Sequence, residues 1–479
     1  MGLSYIMFID VVAIFFTISI LYAAIYGSIP NLEGLQNLEV MDFYSNQLSG
    51  EIPTSLCQLT TLQYLYLGVN NLNGPILVEF GQFVHLKYLS LQNNMLTGSV
   101  VPELGLMVQL EYIYLNGNHL EGPLPVELGQ WINLLYLSLY DNLISGPLLP
   151  EIGQMVKLNT LYLSDNSMTG PLVPALGHLV LLNHVLIYNN RFTGSLPPEL
   201  GQLVQLQYLS LFSNLFTGPL IPELGQMVQL EYISLYNNMI TGSVIPELGI
   251  LVKLEYLSLS RNFLTGALIP EIGTLVQLDF LTLAENFLTG SLPSELGQLI
   301  LLDDLKLFSN HFEYALPPEL SHCQNLRAFQ VQNNLLTGSL QGVFADRHLA
   351  VLENLDLSDN RISGVIPQDI FELPSISAIA LSLNCLEGTL PEGMCVAHNV
   401  SVLSMDGLGA AGGCKHAFTV PLSGVTLFRT MEGSIPRCLW SLPLLTVLHL
   451  TGNGLSGSIS DVVAVSPSLK NISLGTVDY

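Results

Sequence analysis

Leucines and asparagines fall on a fixed frame along most of this chain. From Asn46 to Asn334 an asparagine recurs every 24 residues, through Asn70, Asn94, Asn118, Asn142, Asn166, Asn190, Asn214, Asn238, Asn262, Asn286 and Asn310. Each closes the pattern LxxLxLxxN, as in Leu206, Leu209, Leu211 and Asn214. Apolar and polar positions alternate before the asparagine, which predicts a short strand in each repeat. The strands are centred near Leu65, Leu89, Ile113, Leu137, Leu161, Val185, Leu209, Ile233 and Leu257. One such coil cannot bury its leucines alone and needs a neighbour on each side. The asparagine sits where the chain leaves the strand, and its amide can bond backbone groups of adjacent coils. All thirteen are read as structural. Beyond Asn334 the frame takes a two-residue insertion at Asn360, continues at Asn384 and shows a last clear copy at Asn453.

The other half of the repeat reads LTGxLxPELGxL, as from Leu96 to Leu106 or Ile240 to Leu251. The two half-motifs in phase resemble the plant-type extracellular leucine-rich repeat of receptor-like kinases, receptor-like proteins and secreted inhibitors. The resemblance covers about residues 28 to 475. It implies an α/β repeat fold: a right-handed solenoid with a parallel sheet on the concave side and short 3-10 or helical turns and loops on the convex side. Many copies depart from the family by carrying a branched residue in place of a proline, at Val101, Val173, Ile221, Ile245 and Ile269. A branched residue restores a backbone donor, so the flanking second sheet is expected to be more continuous than usual.

A chain of 479 residues would ordinarily form two or three domains, but a solenoid grows along one axis and one array suffices. Its parts are read as a targeting segment (1–26), a regular solenoid (27–394), an irregular Cys/Gly-rich segment (395–438) and terminal repeats (439–479). The formal charge is −25, much of it from Glu79, Glu103, Glu127, Glu151, Glu199, Glu223, Glu247, Glu271, Glu295 and Glu319 in the PELG-like slot. There a carboxylate favours the start of a helical turn. The first basic side chain is Lys87, which excludes nucleic acid as a partner.

The N-terminal run is almost wholly apolar to Tyr26, with Asp10 as its one charge. It reads as an uncleaved membrane anchor or a signal peptide. The absence of a basic leader and the poor cleavage site at Tyr22-Ala23-Ala24 favour the anchor. Gly27 to Pro30 enter the frame in mid-repeat, without the family's paired-cysteine cap, as a fused or truncated start would. Four of the six cysteines, Cys385, Cys395, Cys414 and Cys438, cluster, and Asn399 and Asn471 stand in glycosylation sequons. Disulfides, the secretory route and a cell-surface or extracellular location follow. Cys57 and Cys323 read as lone core or turn thiols. The rival use of the cluster is a metal site, from Cys395 with His398 and Cys414 with His416; the second spacing is tight for one tetrahedral ion, and no metal is assigned.

Catalytic patterns are sparse. Gly407, Gly409 and Gly412 match GxGxxG after a strand predicted over Ser401 to Met405. The sequence that follows is no amphipathic helix, Pro421 interrupts it, and the frame resumes where a βαβ unit would be needed. The chain reads as a non-enzyme without a cofactor.

Function then falls to the sheet face. One outward column reads Tyr64, Tyr88, Tyr112, Tyr136, Thr160, His184, Tyr208, Tyr232, Tyr256 and Phe280, and a second adds Tyr140, Tyr188, Phe212, Tyr236 and Phe308. Tyr66, Tyr114 and Tyr162 alternate with Ser90 and Ser138 between the columns. Two readings compete. The rings pack on their cross-strand neighbours in a structural spacer, adhesion or wall protein, or they line a nearly neutral trough that captures a peptide, glycan or foreign protein. The second makes the chain a receptor-like recognition module, with a signalling co-receptor, or a secreted inhibitor. The irregular segment, with Asp406, Lys415, His416 and Arg429, is an alternative binding surface.

Overall fold

The computed structural model describes residues 17–19, 24–32, 34–344, 348–408, 414, 418–419, 426–427, 431–456 and 465–475. By internal contacts the chain divides into two compact units, Met1–Phe192 and Thr193–Tyr479. The repeat frame gives no sign of this division, since Asn190 and Asn214 keep the spacing of 24 across it.

In the first unit the main-sheet strands pair in parallel, from Val40–Asp42 through Tyr64–Tyr66, Tyr88–Ser90, Tyr112–Tyr114, Tyr136–Ser138 and Thr160–Tyr162 to His184–Leu186. A second set of parallel strands, among them Asn71–Pro75 and Met95–Gly98, runs alongside. Five-residue 3-10 turns such as Pro102–Leu106 close each coil.

The second unit repeats this plan. Its main-sheet strands Tyr208–Ser210, Tyr232–Ser234, Tyr256–Ser258, Phe280–Thr282, Asp304–Lys306 and Ala328–Gln330 pair in parallel register, and the ladder continues to Asn471–Ser473. Val402–Ser404, within the segment read as irregular, is a regular strand of the ladder and pairs directly with Val447–His449, so the sheet is uninterrupted between them. The antiparallel pairing among the described residues is the short one of Phe418–Thr419 with Thr426–Leu427, inside that segment. The strand centres are thus leucine-rich-repeat strands at the positions expected.

Asparagine joins the coils. Asn262 Nδ2 donates to Leu235 O in the preceding coil (2.9 Å) and to Leu259 O in its own (3.0 Å), while Oδ1 accepts from Ile240 N (2.9 Å). Asn70, Asn94, Asn142, Asn286 and Asn334 make the equivalent cross-coil bonds. Asn453 makes them across the irregular segment, donating to Met405 O and accepting from Leu408 N. Around these amides Leu206, Leu209 and Leu211 are fully buried. The PELG glycine has a packing role, because a Cβ on Gly225 would lie 2.7 Å from the Glu247 carbonyl of the next turn.

One expectation is corrected. Val101, Val173, Ile221, Ile245 and Ile269 lie past the second-sheet strands, at the residue that precedes each 3-10 turn. A donor restored there is outside the ladder, and second-sheet strand lengths do not follow the substitution: Met95–Gly98 and Phe263–Ala267 both precede a branched residue. Of the segment 1–26, the described residues carry strands: Thr17–Ser19 pairs with Val40–Asp42, and Tyr26–Gly27 with Gln47–Leu48. An apolar repeat coil and an apolar targeting segment share a composition, and the run before Tyr26 is compatible with both. No helix among the described residues is long and apolar enough to cross a membrane.

Replacing Asn262 by Leu, a side chain of similar size, strands the Ile240 N–H and removes one of the two amide donors at each of the Leu235 and Leu259 carbonyls, which keep Asn238 and Asn286. The expected loss is about 2 kcal/mol or more, read as a lower denaturant midpoint; an unchanged midpoint would remove the amide from its bridging role.

Candidate functional site

The two units use their aromatic columns differently. In the first, large and small residues alternate down the middle column, so each tyrosine there leans over a buried serine, Ser90 or Ser138, towards the next strand. Ring centroids are 4.6 Å apart for Tyr66–Tyr88, 5.5 Å for Tyr88–Tyr112, 4.7 Å for Tyr114–Tyr136 and 5.4 Å for Tyr136–Tyr162. The Tyr88 hydroxyl donates to Tyr114, and that of Tyr136 to Tyr162. This face is an interlocked set of half-buried rings.

In the second unit the middle column is small from Ser210 to Thr282, with Ser210, Ser234, Ser258 and Thr282 buried. The rings of the first column then stack on one another. Tyr208–Tyr232 centroids lie 6.0 Å apart, Tyr232–Tyr256 4.3 Å with planes 10° apart, and Tyr256–Phe280 4.6 Å with planes 4° apart. Across the serine floor stand Phe212, Tyr236 and Phe308, and between the last two the same column holds only Ser260 and Ala284. The result is a groove of about 500 Å³. Ser260 and Thr282 hydroxyls bond to each other on its floor.

Charge at the groove is matched in pairs. Arg261 Nε donates to both Glu285 oxygens, at 2.9 and 3.0 Å, and its guanidinium carbon sits 5.5 Å from the Tyr236 centroid. Both residues occupy left-handed backbone, φ 54° and 56°, where neighbouring coils have Ser213, Asn237, Ser309 and Asn333. Side chains longer than these are disfavoured in that conformation. Lys306 pairs with Asp304 and holds its ammonium 4.9 Å from the Phe280 centroid. Burial raises the Asp304 carboxyl above the usual range, against the pull of Lys306 and helped by Asp303 and Asp279. The wall rings therefore use their faces on one another, and Arg261 and Lys306 cover rings at the margins. The groove offers ring edges, hydroxyls and neutralised charge.

The leucine-rich repeat model matches residues 37–59, 85–107, 109–131, 157–179, 205–227, 253–275 and 351–373. Receptor-like protein 7 of Arabidopsis thaliana is 28% identical over 118 residues, which are 22% of this chain and 11% of that protein. The chain therefore spans about a tenth of the length of that curated relative. Among solved structures, the plant peptide hormone receptor RGFR1 in complex with RGF2 is 28% identical with a TM-score of 0.80, over 94% of this chain and 77% of the other. The Arabidopsis receptor kinase HAESA, in complex with the peptide hormone IDA and the co-receptor SERK1, is 28% identical with a TM-score of 0.80, over 96% and 78%. The chain is thus similar, over most of its length, to plant extracellular leucine-rich repeat receptors.

In this repeat protein the clustered cysteines form two disulfides, Cys385–Cys414 and Cys395–Cys438. The second joins the turns Glu392–Val396 and Arg437–Ser441, one on each side of the irregular segment. With Cys395 and Cys414 so engaged, the paired-histidine metal arrangement has no free thiolate. Cys57 and Cys323 are free buried thiols, each pushed up to about 12 chiefly by burial. Gly409, Gly412, Lys415, His416 and Arg429 lie outside the described residues; Gly407 follows Val402–Ser404 in a turn. Asn399 and Asn471 are exposed, and Asn399 Nδ2 donates to Pro374 O (2.7 Å).

Frame reading placed Tyr208, Phe212, Tyr232, Tyr236 and Tyr256 on this face, and four of them, all but Tyr208, line the groove. It did not single out Ser258, Ser260, Thr282, Ala284 or Lys306. The signal was present: two small residues interrupt a column that otherwise holds rings at Phe212, Tyr236 and Phe308.

Burial, followed by neighbouring phenols, raises the Tyr88 and Tyr136 hydroxyls far above the ordinary phenol value. The folded state then keeps a proton that the unfolded state releases near pH 10. Stability is thus fully present below about pH 10 and falls as pH rises further. Chemical denaturation from pH 8 to 11 should show that decline, and a Tyr88→Phe, Tyr136→Phe double variant should reduce it; equal slopes would refute the shifts.

Proposed function

We propose that this chain is a non-enzymatic recognition module that binds an extended peptide in the groove bounded by Tyr232, Tyr256 and Phe280. One observation carries the choice over the spacer reading: the second unit's face has a gap of two residues, Ser260 and Ala284, rimmed by an Arg261–Glu285 pair. The interlocked tyrosines of the first unit support packing, so Tyr64, Tyr88, Tyr112 and Tyr136 are assigned to structure; Tyr140 and Tyr188 stay ligand candidates. A glycan is disfavoured, because sugars stack on free ring faces and the wall rings spend theirs on one another. The similar receptors RGFR1 and HAESA, solved with peptide hormones, support the peptide class, and the HAESA complex supports a co-receptor as second partner.

A library of displayed linear peptides should yield binders of the full chain, and Tyr208→Ser, Tyr232→Ser, Tyr256→Ser together should abolish their capture. The triple change should cost about 1 to 3 kcal/mol of stability through lost cross-strand pairing. Binding that survives it but vanishes on deletion of Gly407 to Gly413 would move the site to the irregular segment.

The same reading places the chain in the secretory pathway, through the sequons at Asn399 and Asn471, the two disulfides and the apolar N-terminal run, with anchorage by that run as the membrane contact. Expressed in plant cells, the protein should lose apparent mass on enzymatic deglycosylation, and Asn399→Gln with Asn471→Gln should remove the shift. A cytosolic protein with reduced cysteines would overturn this placement.

A further inference from the structure

We infer that the gap above Ser260 and Ala284 receives an aromatic side chain of a basic peptide. The inference rests on the peptide reading of the groove and names the ligand's chemistry. Main-sheet strands step by about 4.8 Å, so a column lacking two consecutive rings leaves the room those rings would fill. The space is bounded along the column by Tyr236 and Phe308, and across the floor by Tyr256 and Phe280. Stacked wall rings present their electropositive edges to this space, and an inserted ring meets edges best with its own electron-rich face. Buried hydroxyls of Ser258, Ser260 and Thr282 lie beneath, within the reach of a phenol or indole donor.

Charge selects the rest of the ligand. Arg261 and Lys306 are matched by Glu285 and Asp304, so nothing in the gap calls for a charged occupant. Outside it the balance is negative. Glu231, Glu255 and Asp279 immediately precede Tyr232, Tyr256 and Phe280 along one edge of the wall, Glu255 and Asp279 exposed and Glu231 partly buried, and no ion pair engages them among the described residues. A basic residue adjacent to the inserted ring therefore finds a carboxylate at each step of the wall. An acidic neighbour meets repulsion.

The test uses the full chain and three probe peptides: acetyl-Lys-Tyr-Lys-amide, the same peptide with alanine for tyrosine, and the same with glutamates for lysines. Saturation-transfer NMR and titration calorimetry at low salt should show the first binding at least tenfold more tightly than either other, with transfer strongest to the tyrosine ring. Ala284→Phe should fill the gap and weaken the first peptide at least tenfold while the thermal midpoint holds, since Phe308 occupies the same column. Equal binding of the alanine peptide, indifference to Ala284→Phe, or a preference for the glutamate peptide overturns the inference. Library-selected peptides that depend on Tyr208, Tyr232 and Tyr256 but ignore Ala284→Phe overturn it and leave peptide recognition standing. If no peptide of any kind binds, both fall.

Discussion

A coil that cannot bury itself governs everything else in this protein. Each repeat has an apolar interior open towards its neighbours, and its backbone must find partners across the same boundary. The asparagine amide meets both demands with one donor group and one acceptor. Asn262 joins Leu235, Leu259 and Ile240 in a place no water reaches. The spacing of 24 residues follows from this, because a coil of another length would carry the amide away from the carbonyls it serves. Where the spacing does change, at Asn360 and Asn453, the amide keeps its bonds.

With the interior so fixed, chemistry is confined to side chains that alternate with the leucines. The same residue type does different work according to its neighbour. A tyrosine beside a tyrosine on the adjacent strand, as at Tyr114 and Tyr136, satisfies itself by packing. A tyrosine beside serines, as at Tyr232 and Tyr256, is held upright by the rings before and after it and leaves a trough at its side. The middle column, not the tyrosines, decides which face is open.

Much of this was legible in the sequence because period and burial coincide. Leu65, Leu209 and Ile233 were placed at strand centres by counting alone. Whether a ring is free or engaged was not legible, since it depends on tilt across two strands: Tyr88 and Tyr232 occupy the same position in the frame. The run before Tyr26 supports two readings for a related reason, because composition there fits both a strand such as Thr17–Ser19 and a targeting segment. Cysteine spacing left the pairing open. It became visible only when the turns bearing Cys395 and Cys438 were seen to flank one insertion.

That insertion has its own meaning for the architecture. Ser401 passes its backbone bonds to Thr446 and Val447, 45 and 46 residues on, as directly as any coil does to the next. The sheet does not register what lies between. Lengthening a loop whose ends are already fixed raises its closure cost by only about 0.6 kcal/mol per doubling, and here a disulfide clamps the base. The junction behaves as a socket, keeping one register of the array on both sides of a step of 45 residues.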